Sequence, residues 1–297
     1  MPTYAVTGAS GHLGRHAVQE LLARGVSAAD VVAVVRTRGR AADLADRGVQ
    51  VREADYSRPE TLGAALAGVE RLLLVSSSAP GQRAAHHANV IRAAKTAGTS
   101  RVVYTSMLNA GDSTSPLAGE HRDSERVLGE AGVPFTVLRN GYYTEGYTGQ
   151  IGEYLEAGEI VGAAGDGKIS AAPRRDYAAA AAAALLEDEA GSRTYELGGP
   201  AFDLPELARI ITEVTGTKVT YRDLPAGEYA SWLQRTGVDE AAAHFVAALD
   251  ASIARGDLQT SSQDLAQLLA RPATPLADVV GAAHDAVPKA ARDSRER

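Results

Sequence analysis

Residues 7–14 read Thr-Gly-Ala-Ser-Gly-His-Leu-Gly, and they join a short apolar run, Tyr4-Ala5-Val6, to an amphipathic stretch, His16–Leu22, that Gly25 closes. Strand, glycine turn and helix in that order let backbone N–H groups and a helix N-terminus approach a diphosphate. Glycine spacing alone is weak evidence, and the strand before it and helix after it give it weight. Gly8, Ala9, Ser10, Gly11, His12, Leu13 and Gly14 are the expected diphosphate contacts, His12 through its backbone rather than its imidazole.

The chain has 297 residues, 45 % of them hydrophobic, which is enough for a substantial core. It has no cysteine, so disulfides, thiolate metal sites and cysteine nucleophiles are excluded. A net charge of −7 argues against a general nucleic-acid binder, which needs a basic face. No apolar run reaches the roughly 18 residues of a membrane helix, and the first residues read as a strand rather than a secretory leader. The expectation is a cytoplasmic protein with no metal, no nucleic-acid partner and no membrane partner.

Strands and helices alternate through the first half. The pattern predicts strands at Tyr4–Thr7, Val31–Arg36, Val49–Glu53, Leu72–Ser76, Arg101–Thr105 and Thr136–Arg139. Helices are predicted at Arg15–Arg24, Arg40–Arg47, Pro59–Ala67, Gln82–Ala97 and Leu117–Ala131, with glycines 25, 48, 68, 98 and 132 as stop signals. This is an α/β fold, a Rossmann-type doubly wound parallel sheet with ligands at the carboxyl ends of its strands.

After Arg139 the rhythm changes. Residues 141–170 are rich in tyrosine and glycine, with a turn at 165–168. The alanine run Tyr177–Leu186 reads as a helix with Asp176 as N-cap, and Tyr195–Leu197 as a strand. Further helices are predicted at Leu204–Val214, Ala226–Thr236, Asp239–Arg255, Gln263–Leu269 and Leu276–Ala286. The expected organisation is a dinucleotide-binding domain at 1–140, to which 171–199 returns. A smaller, mostly helical substrate lobe takes 141–170 and 200–287, and 288–297 is a frayed tail.

The second predicted strand ends in Arg36. An acid near this place accepts from a ribose 2′-hydroxyl and repels a 2′-phosphate, whereas an arginine attracts the phosphate. Arg38 and Arg40 add positive charge, and the first acid after the strand is Asp43. NADPH is therefore the expected cofactor. Asp55 and Tyr56 follow the third strand, where adenine should lie; Asp55 either accepts from the adenine amino group or serves as a turn residue. Ser76, Ser77 and Ser78 end the fourth strand, where small side chains let the backbone come close to the diphosphate and nicotinamide ribose.

This architecture resembles that of the short-chain dehydrogenases/reductases, whose usual catalytic pair is Tyr-x-x-x-Lys on the helix after the fifth strand. None of the 11 tyrosines here has a lysine four residues on. Aligning Glu125 with the glutamate that often follows that lysine puts His121 in the lysine's place and Leu117 in the tyrosine's. The loss bears on the substrate. Hydride addition to a simple ketone makes an alkoxide, which needs a positioned acid. Hydride addition to a quinone makes a phenolate-like anion whose conjugate acid has a pKa of about 10, as tyrosine does. Water can protonate that anion, so a site without Tyr and Lys still suits a quinone-like acceptor.

Several stretches together resemble the NmrA-like, atypical short-chain dehydrogenases/reductases, and among them the bacterial type-2 NADPH:quinone oxidoreductases. They are Thr7–Gly14, Val31–Arg36, Leu72–Ser78 with Gly81-Gln82-Arg83, Tyr104-Thr105-Ser106, Glu120-His121, Leu138–Tyr143, Gly162–Ile169 and Arg174–Tyr177. The triphenylmethane reductases share much of the same pattern. The resemblance implies an NADPH-dependent, flavin-free reductase of quinones. It implies that Gly8–Leu13, Arg36, Ser76–Ser78, Arg139, Asn140, Gly141, Tyr142, Tyr143, Thr144 and Arg174 line the cofactor, and Thr105 joins them as a candidate contact. Asn140 would sit beside the nicotinamide, and Tyr142 and Tyr143 would border the acceptor; Tyr142 stands where the family often has tryptophan.

Asn140 ends the sixth strand in the crevice, where an amide can hold the nicotinamide carboxamide or polarise an acceptor oxygen. Tyr142, Tyr143 and Tyr147 either stack on a planar acceptor or pack the lobe. His121 is the one acid candidate near the lost pair, set against a packing role. His86 and His87, adjacent on a helix, point apart and read as structural. Together these residues point to NADPH reduction of a quinone or similar aromatic acceptor, with Asn140 and His121 as the catalytic candidates. The alternatives are a reductase of a dye or aromatic secondary metabolite, and a non-catalytic NADP-binding redox sensor. A homodimer is among the assemblies this reading admits.

Overall fold

The apolar runs of the first half become the strands of one seven-stranded parallel sheet. The structure is a computed structural model that describes residues 2–188 and 191–287, so the predicted tail at 288–297 lies outside the described residues. The elements in order are β1 (Tyr4–Thr7), α1 (His12–Ala23), β2 (Val31–Val35), α2 (Ala42–Ala45), β3 (Gln50–Glu53), α3 (Pro59–Leu66), β4 (Arg71–Leu74), α4 (Arg83–Thr96), β5 (Arg101–Met107), α5 (Ala118–Glu130) and β6 (Phe135–Asn140). Next come α6 (Glu145–Thr148), α7 (Ile151–Ala157) and β7 (Glu159–Gly162), and then α8 (Arg174–Leu186) and β8 (Arg193–Leu197) return to the sheet. The described chain ends with α9 (Leu204–Thr215), β9 (Thr220–Asp223), α10 (Ala226–Arg235), α11 (Glu240–Ala254), α12 (Asp264–Leu269) and α13 (Leu276–Ala286).

The strand order is β3-β2-β1-β4-β5-β6-β8, every pair parallel. The order reverses between β1 and β4, and at such a switch point the two outgoing loops part and leave a crevice. β2 is Val-Val-Ala-Val-Val and wholly buried, as a strand covered on both faces must be. Leu13, Val18 and Leu21 of α1 pack with the alanines of α8 on one face. Leu62 and Leu66 of α3, Val90 and Ile91 of α4 and Leu128 of α5 cover the other. The alanine run has a packing reason, since short side chains let α8 lie close to α1 and the sheet together.

Three details differ from the sequence reading. α1 begins at His12 rather than Arg15, because Gly11 is its N-cap and the end of the glycine motif is already helical. Asp176 is not an N-cap. Pro173 precedes the helix, and Asp176 lies fully buried in the first turn, accepting from Arg271 Nη2 (2.7 Å) and the Thr274 N–H (2.7 Å). Finally, β7 and β9 form a small parallel pair among the C-terminal helices. Both are four residues long, and exposed or half-exposed positions in them leave no apolar alternation to read.

Candidate active site

The cleft at the switch point has a volume of about 510 Å³. Gly8, Ser10, Gly11, His12, Leu13 and Gly14 line one end, Arg36, Arg40, Asp55 and Tyr56 one side, and Ser76–Ser78 with His86 the other. Gly8 has φ +60°, a left-handed conformation that suits glycine. A methyl group on Gly14 would lie 2.8 Å from the Gly8 carbonyl carbon and closer still to its oxygen, so helix and turn interlock only as glycines. No side chain caps α1 and its first turn carries no acid, which leaves its N–H groups for an anion.

On the cationic side of the cleft Asp55 is, among the described residues, the one acid in the lining, and it does not pair with either arginine. The nearby acid Asp43 is held by Arg15 in an ion pair, and Glu53 accepts the Arg38 N–H at 3.4 Å. Among the described residues neither Arg36 nor Arg40 forms an ion pair. Asp55 Oδ1 accepts the N–H and the hydroxyl of Ser57, both at 2.8 Å. Those bonds, with smaller help from the charges of Arg36 and His86, hold its carboxyl below the usual range. Asp55 is thus a turn residue and an ionised acceptor in the cleft at once.

Tyr56 bolts the switch point together. Its hydroxyl lies 2.9 Å from the Val75 carbonyl and also meets Thr7 Oγ1, which accepts the Val75 N–H at 3.1 Å. β1 and β4 are therefore tied by side chains just where their hydrogen-bond ladder ends. Tyr56→Phe should cost about 1 kcal/mol for the lost half-buried hydrogen bonds, read as a lower urea midpoint with an unchanged slope.

The serine loop is held from behind. His87 Nε2 accepts the Ser77 N–H at 2.8 Å, so that nitrogen is unprotonated and Nδ1 carries the hydrogen toward Ser124 Oγ at 2.8 Å. Burial pushes His87 down to about 3, so the neutral form persists at neutral pH. Arg83 Nε donates to the Ser77 carbonyl at 2.8 Å, and Thr105 Oγ1 accepts the Ser76 N–H at 2.9 Å. Thr105 and the fully buried Ala9 thus lie under the cleft rather than in its wall. His86, read as structural from the sequence, instead lines the cleft, its Nδ1 3.1 Å from Ser77 Oγ.

Beyond β6 the chain lies against residues 170–173. A methyl group on Gly141 would come within 2.8 Å of the Tyr177 hydroxyl and closer still to the Ser170 carbonyl oxygen. Its N–H donates to the Leu197 carbonyl at 2.7 Å, so Gly141 serves backbone packing. Asn140 is 5 % exposed, and neither Nδ2 nor Oδ1 makes a hydrogen bond. An amide buried without partners costs free energy, and a nicotinamide carboxamide or an acceptor oxygen would satisfy both its atoms. The Tyr143 hydroxyl is near enough to feel that amide but does not meet hydrogen-bond geometry with it. Tyr143 packs on Tyr177 (5.6 Å between ring centroids) and under the Arg174 guanidinium (4.7 Å). Tyr142 packs on Tyr147 at 5.2 Å, and Tyr147 on Phe202 at 6.1 Å.

Two expectations change here. Arg139 points away from the cleft, where Glu125 of α5 (2.7 Å) and Glu196 of β8 (2.8 Å) clamp its guanidinium and hold it protonated; alternation along β6 puts it on the face opposite Asn140. His121 is buried with Nδ1 2.7 Å from the Tyr104 hydroxyl, and burial pushes it down to about 3. A ring that is neutral at pH 7 and already bonded to a buried phenol is poorly suited to give a proton to an acceptor.

The NAD(P)H-binding family model matches residues 8–188. The chain belongs to that family. Its matched stretch runs from the glycine turn through α8, and so takes in every wall of the cleft. Among curated relatives, quinone oxidoreductase 2 of Escherichia coli (strain K12) is 43 % identical over 277 residues, covering 93 % of this chain and 96 % of the relative. The crystal structure of the NADPH-dependent quinone oxidoreductase of Escherichia coli complexed with NADPH superposes with a TM-score of 0.91, covering 94 % of this chain and 99 % of that one. The triphenylmethane reductase of a Citrobacter species, complexed with NADP(H), gives 0.90 at 37 % identity, covering 95 % and 100 %.

Proposed function

We propose that this protein is an NADPH-dependent, flavin-free reductase that delivers a hydride to a quinone-like acceptor. The observation that carries the reading is the cleft, with an uncapped helix N-terminus and two arginines that form no ion pair among the described residues; beyond its lining, at the end of β6, stands a buried amide with nothing to bond. Likeness to a quinone oxidoreductase at 43 % identity supports the acceptor class. Bound NADPH supplies the hydride. The first turn of α1 would hold the diphosphate, Arg36 and Arg40 the 2′-phosphate, Asp55 the adenine amino group, and Ser76–Ser78 the nicotinamide ribose. Asn140 would orient the carboxamide or polarise the acceptor oxygen, and Tyr142, Tyr143 and Tyr147 would border the ring. The reading extends to a cytoplasmic location, where NADPH is kept reduced.

Loss of absorbance at 340 nm on mixing the protein with NADPH and 1,4-benzoquinone tests it. Nucleotide binding without turnover above background would instead identify a redox sensor. Likeness to a triphenylmethane reductase supports dyes as a second acceptor class, which the same assay separates by substrate.

Asn140→Ala should lower kcat about 100-fold, the scale for losing one oriented polar group at a reacting centre. The apoprotein should melt within about 2 °C of wild type, because relief of a buried unpaired amide offsets the small cavity left behind. A parallel fall in melting temperature and activity would show that Asn140 is structural.

A further inference from the structure

Asp250 of α11 is 8 % exposed. Its Oδ2 accepts the Ala163 N–H at 2.9 Å, and among the described residues it has no cationic partner. Room is made for it: a methyl group on Gly162 would sit 2.9 Å from that same oxygen. Asp250 lies three residues from Ala247 and three from Ile253, and those two belong to different apolar clusters, so the carboxyl stands at their junction. An unpaired carboxyl there is costly, and a neutral side chain could accept one N–H equally well.

Around it stand phenols. The Asp250 charge acts on Tyr142, Tyr147, Tyr154, Tyr221 and Tyr229. Tyr221 is engaged, donating to Asp223 at 2.6 Å and accepting the Ala164 N–H at 3.1 Å. The hydroxyls of the other four make no hydrogen bond among the described residues, whereas those of Tyr56, Tyr104, Tyr177 and Tyr195 all do. Tyr142 follows Asn140 with only Gly141 between, and its ring meets Tyr147 at 5.2 Å. These phenols share the two apolar clusters that meet at the carboxyl, and among the described residues none of the four free hydroxyls bonds to Asp250 or to another of them, so a proton moving among them crosses bridging water.

We propose that Asp250 supplies the proton of acceptor reduction, passed through the hydroxyls of this tyrosine cluster. The inference rests on the quinone reading. Hydride from NADPH turns the quinone into a hydroquinone monoanion. A cluster hydroxyl gives its hydrogen to that oxygen as Asp250, through bridging water, replaces it, and the carboxylate regains a proton from solvent. Net, one hydride and one proton reach the quinone. Burial supports this assignment, pushing Asp250 up to about 6, with the Asp223 charge adding to the rise and the Ala163 N–H opposing it. The phenols are pushed up, so they pass protons without ionising. The groups facing the carboxyl are these five tyrosines and Asp223; Arg174 acts on Tyr142 from farther off.

The test is kcat for 1,4-benzoquinone at saturating NADPH from pH 5 to 8. The protonated carboxyl is the active form, so wild-type kcat should be level below about pH 6 and fall up to tenfold per unit above it. Asp250→Asn should lower kcat at least tenfold at pH 6 and flatten the profile while nicotinamide fluorescence reports unchanged NADPH binding. A flat wild-type profile, or a wild-type profile in Asp250→Asn, overturns the inference while leaving the quinone reading standing. Absence of quinone turnover at every pH overturns both. Should Asp250→Asn not fold, the wild-type profile alone decides.

Discussion

Arg36→Glu is expected to abolish the preference for NADPH over NADH. Arg36 lines the cleft with Arg40, and the acids that could neutralise them are taken by Arg15 and by the backbone of Arg38. A charge-assisted hydrogen bond to phosphate contributes about 1.5–3 kcal/mol, or roughly 10- to 150-fold in affinity. Glutamate removes that and adds repulsion, so the ratio of kcat/KM for the two cofactors should fall about 1000-fold, mostly through KM for NADPH. An arginine also stacks on adenine, and loss of stacking weakens NADH and NADPH alike. The ratio, not either absolute value, is therefore the diagnostic quantity. Arg36→Ala should give a smaller fall, because Arg40 stays. A preference ratio unchanged in Arg36→Glu would remove the electrostatic basis for assigning the phosphorylated cofactor.

The half of the site that binds by backbone and point charge was legible in the sequence. Glycine spacing, an arginine at a strand end and three serines at another all act through local geometry, and each reaches the cleft from the loop that carries it. Side chains whose direction depends on the sheet were harder to read. Arg139 and Asn140 are neighbours in sequence and look equally placed, yet the pleat sends them to opposite faces, and two glutamates from different elements capture the arginine. His86 and His87 read as pointing apart on their helix, yet both rings reach Ser77, His87 at its N–H and His86 at its hydroxyl, and which of the two lines the cleft depends on how α4 lies on the sheet. Only His86 departs from the structural reading, with His87 behind the serine loop and His86 in the wall.

Asp250 shows the outer limit of such reading. It lies more than 100 residues beyond Asn140 on a helix whose sequence pattern is unexceptional. Nothing local marks it, and only tertiary packing brings it among tyrosines from four other elements. The β7–β9 pair escaped for a related reason, since two four-residue strands far apart in sequence find each other only through the helices that carry them. Most of the seven-stranded sheet was readable because a glycine follows each of α1 to α5 and its strands carry short apolar runs such as Val31–Val35 and Leu72–Leu74. The missing Tyr-x-x-x-Lys pair was equally informative, since it narrows the chemistry to acceptors whose reduced anion is a weak base.

Gly14→Ala should damage fold and cofactor binding together. Gly14 lies inside α1, where alanine is ordinarily the better residue by about 1 kcal/mol. Here the added methyl meets backbone on three sides: the Gly8 carbonyl oxygen, the Gly8 carbonyl carbon at 2.8 Å and Ala9 Cα at 3.0 Å. Backbone cannot rotate aside as a flexible side chain can, so α1 must move off the turn. Overpacking of this kind costs roughly 1–3 kcal/mol or more, which exceeds the helix-propensity gain. At about 2–4 °C per kcal/mol for a chain of this size class, the melting temperature should fall several degrees. The displaced helix also carries the N–H groups that would hold the diphosphate, so NADPH affinity should fall at least tenfold, and NADH affinity with it. That loss common to both nucleotides separates this variant from Arg36→Glu. Gly63 of α3 is the control, for a methyl there meets nothing within 4 Å. Gly63→Ala should raise stability by about 0.5–1 kcal/mol and leave binding alone. If both substitutions behave as Gly63→Ala should, the interlock between turn and helix is not what shapes the diphosphate site.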